Sequence, residues 1–280
     1  MKEIHVSDIT NAVRNLCIDS NYYLSEDVRS RLKEAYENET WAIAKDILDK
    51  ILVNADIAKN QRMPMCQDTG MTCVFVELGQ DVHIIGGNLE EAINEGIRQG
   101  YAEGYLRKSV VKDPLDRINT KDNTPGVIYY NVVSGDKLKV TVAPKGFGSE
   151  NMSQLKMLKP ADGVEGVKKF VLEVVKQAGP NPCPPIIVGI GIGGTFDKAA
   201  NLAKKALIRP TAERNPNPYY RDLELELFES INELGIGPQG FGGRSTALSV
   251  NIETYATHIA GLPVAVNINC HATRHAEIEL

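Results

Sequence analysis

Over residues 1–60 the apolar positions recur at helical spacing. Ser25 followed by Glu26 and Asp27 marks a helix start, because a hydroxyl takes an orphan N–H and acids favour the positive end of the helix dipole. Val28, Leu32 and Ala35 then share one face. Thr40 is placed to cap a second helix, in which Trp41, Ala44, Ile47, Leu48, Ile51, Leu52 and Ala55 form a stripe that has to bury. From Met71 the period shortens. MTCVFVELG predicts a strand, a short DVHII run follows, and Asn88 with Glu91 forms a capping-box signature for a helix to about Tyr105.

VIYYNVV and KLKVTVA flank Ser134-Gly135-Asp136, a pattern that predicts an antiparallel hairpin. A helix over Val167–Ala178 stops at Gly179, where the missing Cβ permits a left-handed cap. PPIIVGIGIGG then reads as a buried strand, followed by a helix from Thr195 to about Ile208. A further helix from about Tyr219 to Leu234 ends at Gly235, and the loop GIGPQGFGG leads into TALSVNIETY and VAVNI. Hairpin plus strand–helix units predict a mixed α/β (α+β) class with a helical N-terminal part. No linker composition interrupts the chain, so residues 1–280 read as one domain.

Composition narrows the partners. With 42% hydrophobic and 24% charged residues the chain is of the globular type, and 31 basic against 36 acidic residues leave a net charge of −5. That balance offers no field for phosphate backbones or anionic lipid, so nucleic acid and membrane are not expected partners. MKEIHVSDITNAVRN has no apolar stretch behind a basic start, and a cytoplasmic location is expected. The five cysteines, Cys17, Cys66, Cys73, Cys183 and Cys270, are odd in number and scattered, unlike a disulfide framework.

Three of them stand in turn-rich segments beside strand ends: PMCQDTG around Cys66, NPCPP around Cys183 and NINCHA around Cys270. Prolines and Asp-Thr-Gly fix the backbone there, which suits ligands held toward a common point. Three thiolates from distant loops would match a cubane iron–sulfur cluster and leave one iron open as a Lewis acid. The competing reading is that these are small buried hydrophobes, and it is assigned to Cys17 in its helix and Cys73 in its strand. Asp68, two residues from Cys66, is a candidate for moving the proton of a metal-bound water, or else only an Asx turn. His258 could assist a carboxylate, and Arg107 could grip a substrate carboxylate in bidentate fashion; both residue types also occur as plain structure or solvated surface. Gly189 to Gly194 satisfies GxGxxG, but no acidic residue ends a second strand about 20 residues on, and close packing explains the glycines equally.

PMCQDTG, KGFGSEN (145–151), NPCPPIIVGIGIGG (181–194), GIGPQGFGG (235–243) and NINCHATRH (267–275) occur in order along the whole chain. Together they resemble the α subunit of two-subunit class I fumarate hydratases, with the L(+)-tartrate dehydratase α subunit as a close relative. The resemblance implies an oxygen-sensitive [4Fe-4S] cluster on Cys66, Cys183 and Cys270, with the fourth iron open to substrate. It implies that Gln67, Asp68, Arg107 and Gly148 surround a dicarboxylate, and that Asp68 assisted by His258 protonates the departing hydroxyl. Phe147 and Met152 depart from the more glycine-rich family version of their loop. The carbon base and the grip on the remote carboxylate are expected from a β subunit, in an α2β2 assembly. The implied reaction is reversible hydration of fumarate to (S)-malate, with L(+)-tartrate dehydration as the nearest alternative. A nicotinamide-binding dehydrogenase using Gly189 to Gly194, or a cysteine-ligated zinc scaffold, are the alternatives from other classes.

Overall fold

The computed structural model describes residues 2–280. The elements run β1 (Lys2–His5), α1 (Val6–Tyr22), α2 (Glu26–Asn38), α3 (Ala42–Gln61), β2 (Met71–Gly79), β3 (Val82–Ile85), α4 (Leu89–Glu103), β4 (Val127–Val133) and β5 (Leu138–Lys145). They continue with a short α5 (Phe147–Glu150), β6 (Gln154–Leu158), α6 (Gly163–Ala178), β7 (Ile186–Gly193), α7 (Phe196–Ala206), α8 (Pro218–Glu233), β8 (Ala247–Tyr255), β9 (Leu262–Asn269) and β10 (Ala276–Glu279). The mixed α/β class is therefore what the periodicity predicted. No helix among the described residues is long and apolar enough to cross a membrane.

The chain builds two compact units without a contiguous cut: one from the described residues up to Ser25 with Asn54–Phe147 and Arg274–Leu280, the other from Glu26–Val53 and Gly148–Thr273. Each is returned to after an excursion into the other, so no linker composition marks a boundary.

In the first unit α1 lies along α4, and Ile9, Val13 and Leu16 at helical spacing join Ile93, Ile97 and Tyr101 in one core. The start of α4 follows the sequence reading, since the Asn88 side chain accepts from the Glu91 N–H at 3.1 Å. The predicted hairpin does not form. The sheet order is β10-β5-β2-β4, so β2 stands between the two strands, parallel to β4 and antiparallel to β5. The physical reason lies in burial: Val74 and Val76 of β2 share one core with Leu138, Val140 and Val142 of β5, so β2 takes the place beside β5 while the Ser134–Lys137 link crosses over its end. That crossing is held by backbone bonds from Gly79 N to the Lys137 carbonyl (2.8 Å) and from Asp81 N to the Gly135 carbonyl (2.9 Å). Strands β1 and β3 form a separate parallel pair, and β1 and β10 had no sequence signal.

In the second unit the order is β6-β9-β7-β8, with β7 buried at every position. Helix α7 packs on β7, and the glycines of GIGIGG are what allow it: a Cβ at Gly189 would stand 2.2 Å from the Ala203 carbonyl oxygen, and one at Gly191 2.1 Å from that of Ala199. Close helix–strand approach thus accounts for this motif with no nucleotide required. Val28, Leu32 and Ala35 are buried on α2 as predicted, and Ala44 and Leu48 carry the buried stripe of α3 while Trp41 is half exposed. Thr40 does not cap α3. The carboxylate of Glu39, itself buried, accepts from the N–H groups of Thr40 and Trp41 (2.9 Å each) and with its second oxygen from Arg244 N (2.8 Å). A carboxylate satisfies more donors than a hydroxyl and suits the positive helix end better.

Candidate functional site

In the first unit, the PMCQDTG segment between α3 and β2 carries Cys66, Gln67 and Asp68. Met65 anchors it: its N–H donates to the Asn21 carbonyl (3.0 Å), and its carbonyl accepts from the Asn54 side chain (2.8 Å). The Cys66 thiol is partly exposed and points at Gln67 Oε1, 3.5 Å away. Asp68 does form the Asx turn, with Oδ1 accepting from Gly70 N at 3.1 Å. Its Oδ2 reaches further and accepts from Phe147 N at 2.9 Å, so both carboxylate oxygens are oriented by backbone donors. Gly146 lies against this carboxylate, where an added Cβ would stand 3.2 Å from Oδ2. The hydroxyl of Thr69 donates to the Arg107 carbonyl (3.1 Å), which brings the backbone of Arg107 to the same turn, with its side chain on an exposed residue.

Behind the turn stands a layer of buried polar groups. Tyr101 donates to the carbonyls of Thr69 (2.7 Å) and Gly70 (3.1 Å), and Asn123 donates to the Gly70 carbonyl (3.2 Å). Burial pushes the Tyr101 phenol well above its ordinary range, so it remains a donor. Arg274, only 4% exposed, donates to the Asp68 carbonyl, and buried Lys145 donates to the Gly146 carbonyl (3.2 Å).

In the second unit the loops of Cys183 and Cys270 meet. His271 donates its backbone N–H to the Cys183 carbonyl (3.3 Å), and its Nδ1 lies 2.9 Å from the same oxygen and 3.1 Å from Gln239 Nε2. The GIGPQGFGG loop buttresses this pair. Gln239 donates to the Pro184 carbonyl through its backbone (2.7 Å) and through its side chain (3.0 Å). Gly148 faces the Cys183 loop: a Cβ there would lie 3.7 Å from the Asn181 carbonyl oxygen. Glu150 pairs with Lys204 and accepts from Asn267 Nδ2 (2.8 Å), and Ser153 Oγ accepts from Ile268 N (3.1 Å), fixing the end of β9 just before Cys270. His258 is exposed in the β8–β9 connection, where its Nδ1 accepts from Ala260 N (3.1 Å).

The five cysteines divide by environment. Cys17 and Cys73 are buried, and burial pushes the Cys17 thiol up to about 12, which keeps it protonated. Cys183 is exposed, Cys66 and Cys270 partly so. Soft sulfur donors on prestructured, accessible loops are the donor chemistry of an iron–sulfur group, and to that extent the residues fit one. Among the described residues no three or more His, Cys, Asp or Glu side chains stand grouped as a metal site. Asp68, Gln67, Cys66 and Arg107 gather in the first unit; Cys183, Cys270 and Gly148 gather in the second, which also holds His258.

Sequence reasoning missed the supporting residues. His271 and Arg274 lie inside the NINCHATRH motif, and that was their only signal; Asn123 sits in a stretch that reads as an ordinary polar loop.

Comparison with known proteins bears on this arrangement. The family model described as "Fumarate hydratase (Fumerase)" matches residues 10–279. The chain is 46% identical over 274 residues to the Methanocaldococcus jannaschii protein named "Putative L(+)-tartrate dehydratase subunit alpha", covering 96% of each. It is 35% identical over 283 residues to the L(+)-tartrate dehydratase subunit alpha of Escherichia coli strain UTI89, covering 100% of this chain and 93% of that one. With both cysteine loops and the Asp68 turn inside the matched span, the chain belongs to the fumarate hydratase (Fumerase) family.

Proposed function

We propose that this chain is the α subunit of an iron–sulfur-dependent hydro-lyase that moves water across the central bond of a four-carbon dicarboxylate. The leading substrate pair is fumarate and (S)-malate, in keeping with the family's description. L(+)-tartrate is the second reading, and the names of the relatives favour it. The observation that carries the proposal is the division of the cysteines: the three in the matched motifs are accessible on loops fixed by backbone hydrogen bonds, and the two outside them are buried.

In this reading Cys66, Cys183 and Cys270 hold a [4Fe-4S] cluster. When bound, such a group supplies a Lewis acid that lowers the cost of hydroxide as leaving group or nucleophile. The chain's own residues do the rest. Asp68 keeps one proton-accepting face available while its two backbone bonds hold the carboxylate in place, and it exchanges a proton with the departing hydroxyl. His258 assists that exchange. Gln67 and Arg107 orient the dicarboxylate, the guanidinium by paired N–H bonds to one carboxylate, and Gly148 leaves backbone room beside it. The base for the neighbouring carbon is assigned to a β subunit, with α2β2 the expected assembly and the cytoplasm the expected location.

The test is an anaerobic preparation with its β partner, assayed for iron and sulfide, visible absorption, and consumption of fumarate against L(+)-tartrate. Iron near four per α chain is expected. Cys183→Ser should lose the cluster absorbance while circular dichroism stays unchanged; a variant that keeps full absorbance removes that ligand from the proposal. Asp68→Asn should retain the absorbance and lose at least about 100-fold in kcat, in the usual range for a general acid–base residue.

A further inference from the structure

The guanidinium of Arg274 is buried at 4% exposure, and the hydrogen bond it makes from Nη2 goes to the Asp68 carbonyl. Its Nε and Nη1 are fully enclosed and have no hydrogen-bond partner among the described residues. A buried cation whose donors are mostly unmatched costs free energy, because water has been removed and not replaced. Stability therefore does not explain why an arginine stands there. What its one bond does is local: it fixes the peptide that follows Asp68, in the same turn whose Gly70 N–H orients Oδ1. Tyr101 fixes the next two carbonyls, those of Thr69 and Gly70, from the same buried layer. The carboxylate of Asp68 is thus aimed by a turn whose three successive carbonyls are each held from behind.

We propose that Arg274 is a positioning residue for Asp68, retained at a cost in stability so that the carboxylate meets its substrate in one orientation. The inference rests on the role given to Asp68 above. Small displacements of a reacting group cost rate rather than binding, so the effect belongs in kcat.

Arg274→Met, which fills the space without a charge, is the test, made in the anaerobic complex with the β partner and compared with Asp68→Asn and the double variant. Arg274→Met should lower kcat at least about 10-fold with KM within about twofold, keep the cluster absorbance per α chain, and leave the unfolding midpoint unchanged or raised. In the Asp68→Asn background the second substitution should add less than about twofold, because the group it positions is already disabled. A lowered unfolding midpoint in parallel with the lost activity would make Arg274 merely structural and overturn the inference. An unchanged kcat would do the same. Should Asp68→Asn itself turn over normally, the earlier reading of Asp68 fails first, and that outcome is distinct from Arg274→Met alone being active.

Discussion

At the scale of single residues, the site is built from groups that hold backbone rather than groups that face solvent. Asn123 is the clearest case. Fully buried with a left-handed φ of 65°, it accepts from Ser109 N (2.7 Å) and Val110 N (3.2 Å) and donates to the Gly70 carbonyl, tying the chain beyond Arg107 to the Asp68 turn. Asparagine tolerates that backbone region better than most side chains. Asn123→Ala leaves these groups unpaired and is expected to cost about 2–3 kcal/mol in urea unfolding, in line with unmet buried donors; a loss under about 0.5 kcal/mol would contradict the role assigned. The chemistry-bearing residues were legible in the sequence because turn-forming neighbours surround them, as Gln-Asp-Thr-Gly surrounds Asp68. Asn123 and Arg274 were not, since their partners are 53 and 206 residues away in sequence and no local pattern encodes such a contact.

Elements show the same division between local and distant signals. Asn88 and Glu91 announced α4, Gly179 ended α6 with a φ of 52°, and both followed from chemistry confined to one turn of chain. Strand pairing did not. A three-residue glycine link between VIYYNVV and KLKVTVA permits a two-stranded turn, yet β2, more than 45 residues earlier, competes for the same edges and wins by burying Val74 and Val76 in one core with Val140 and Val142 of β5. The GxGxxG segment was legible as strand, turn and helix, and its purpose emerged only from the helix laid on it. Gly191→Ala places a methyl group 2.1 Å from the Ala199 carbonyl oxygen, and neither backbone can yield without opening α7 from β7. A loss of more than about 3 kcal/mol, seen as a lowered thermal midpoint or loss of soluble protein, is the expected result. Wild-type stability in that variant would reopen the question of why glycine occupies the position.

On the scale of the whole molecule, the family assignment spans nearly the entire chain. The first unit depends on residues far along the chain. Strand β10 pairs with β5 from Ala276↔Val142 to Glu279↔Lys139, and Leu280 exchanges two backbone bonds with Leu138. Deleting residues 274–280 should therefore destabilise that unit by about 2–4 kcal/mol, judged from the ladder bonds lost, with the change read in hydrogen exchange at β5 and β2. Equal protection in the truncated chain would mean that β10 contributes nothing to the sheet. The interleaving also bears on biosynthesis. A ribosome releases β5 long before it releases β10, and the long Gly148–Thr273 stretch of the second unit emerges in between, so the older sheet waits with an open edge while that newer chain folds. During that interval β5 is a sticky template, and a nascent-chain chaperone or a slowed codon stretch that shields it should raise the yield of intact protein more than one acting on any later strand.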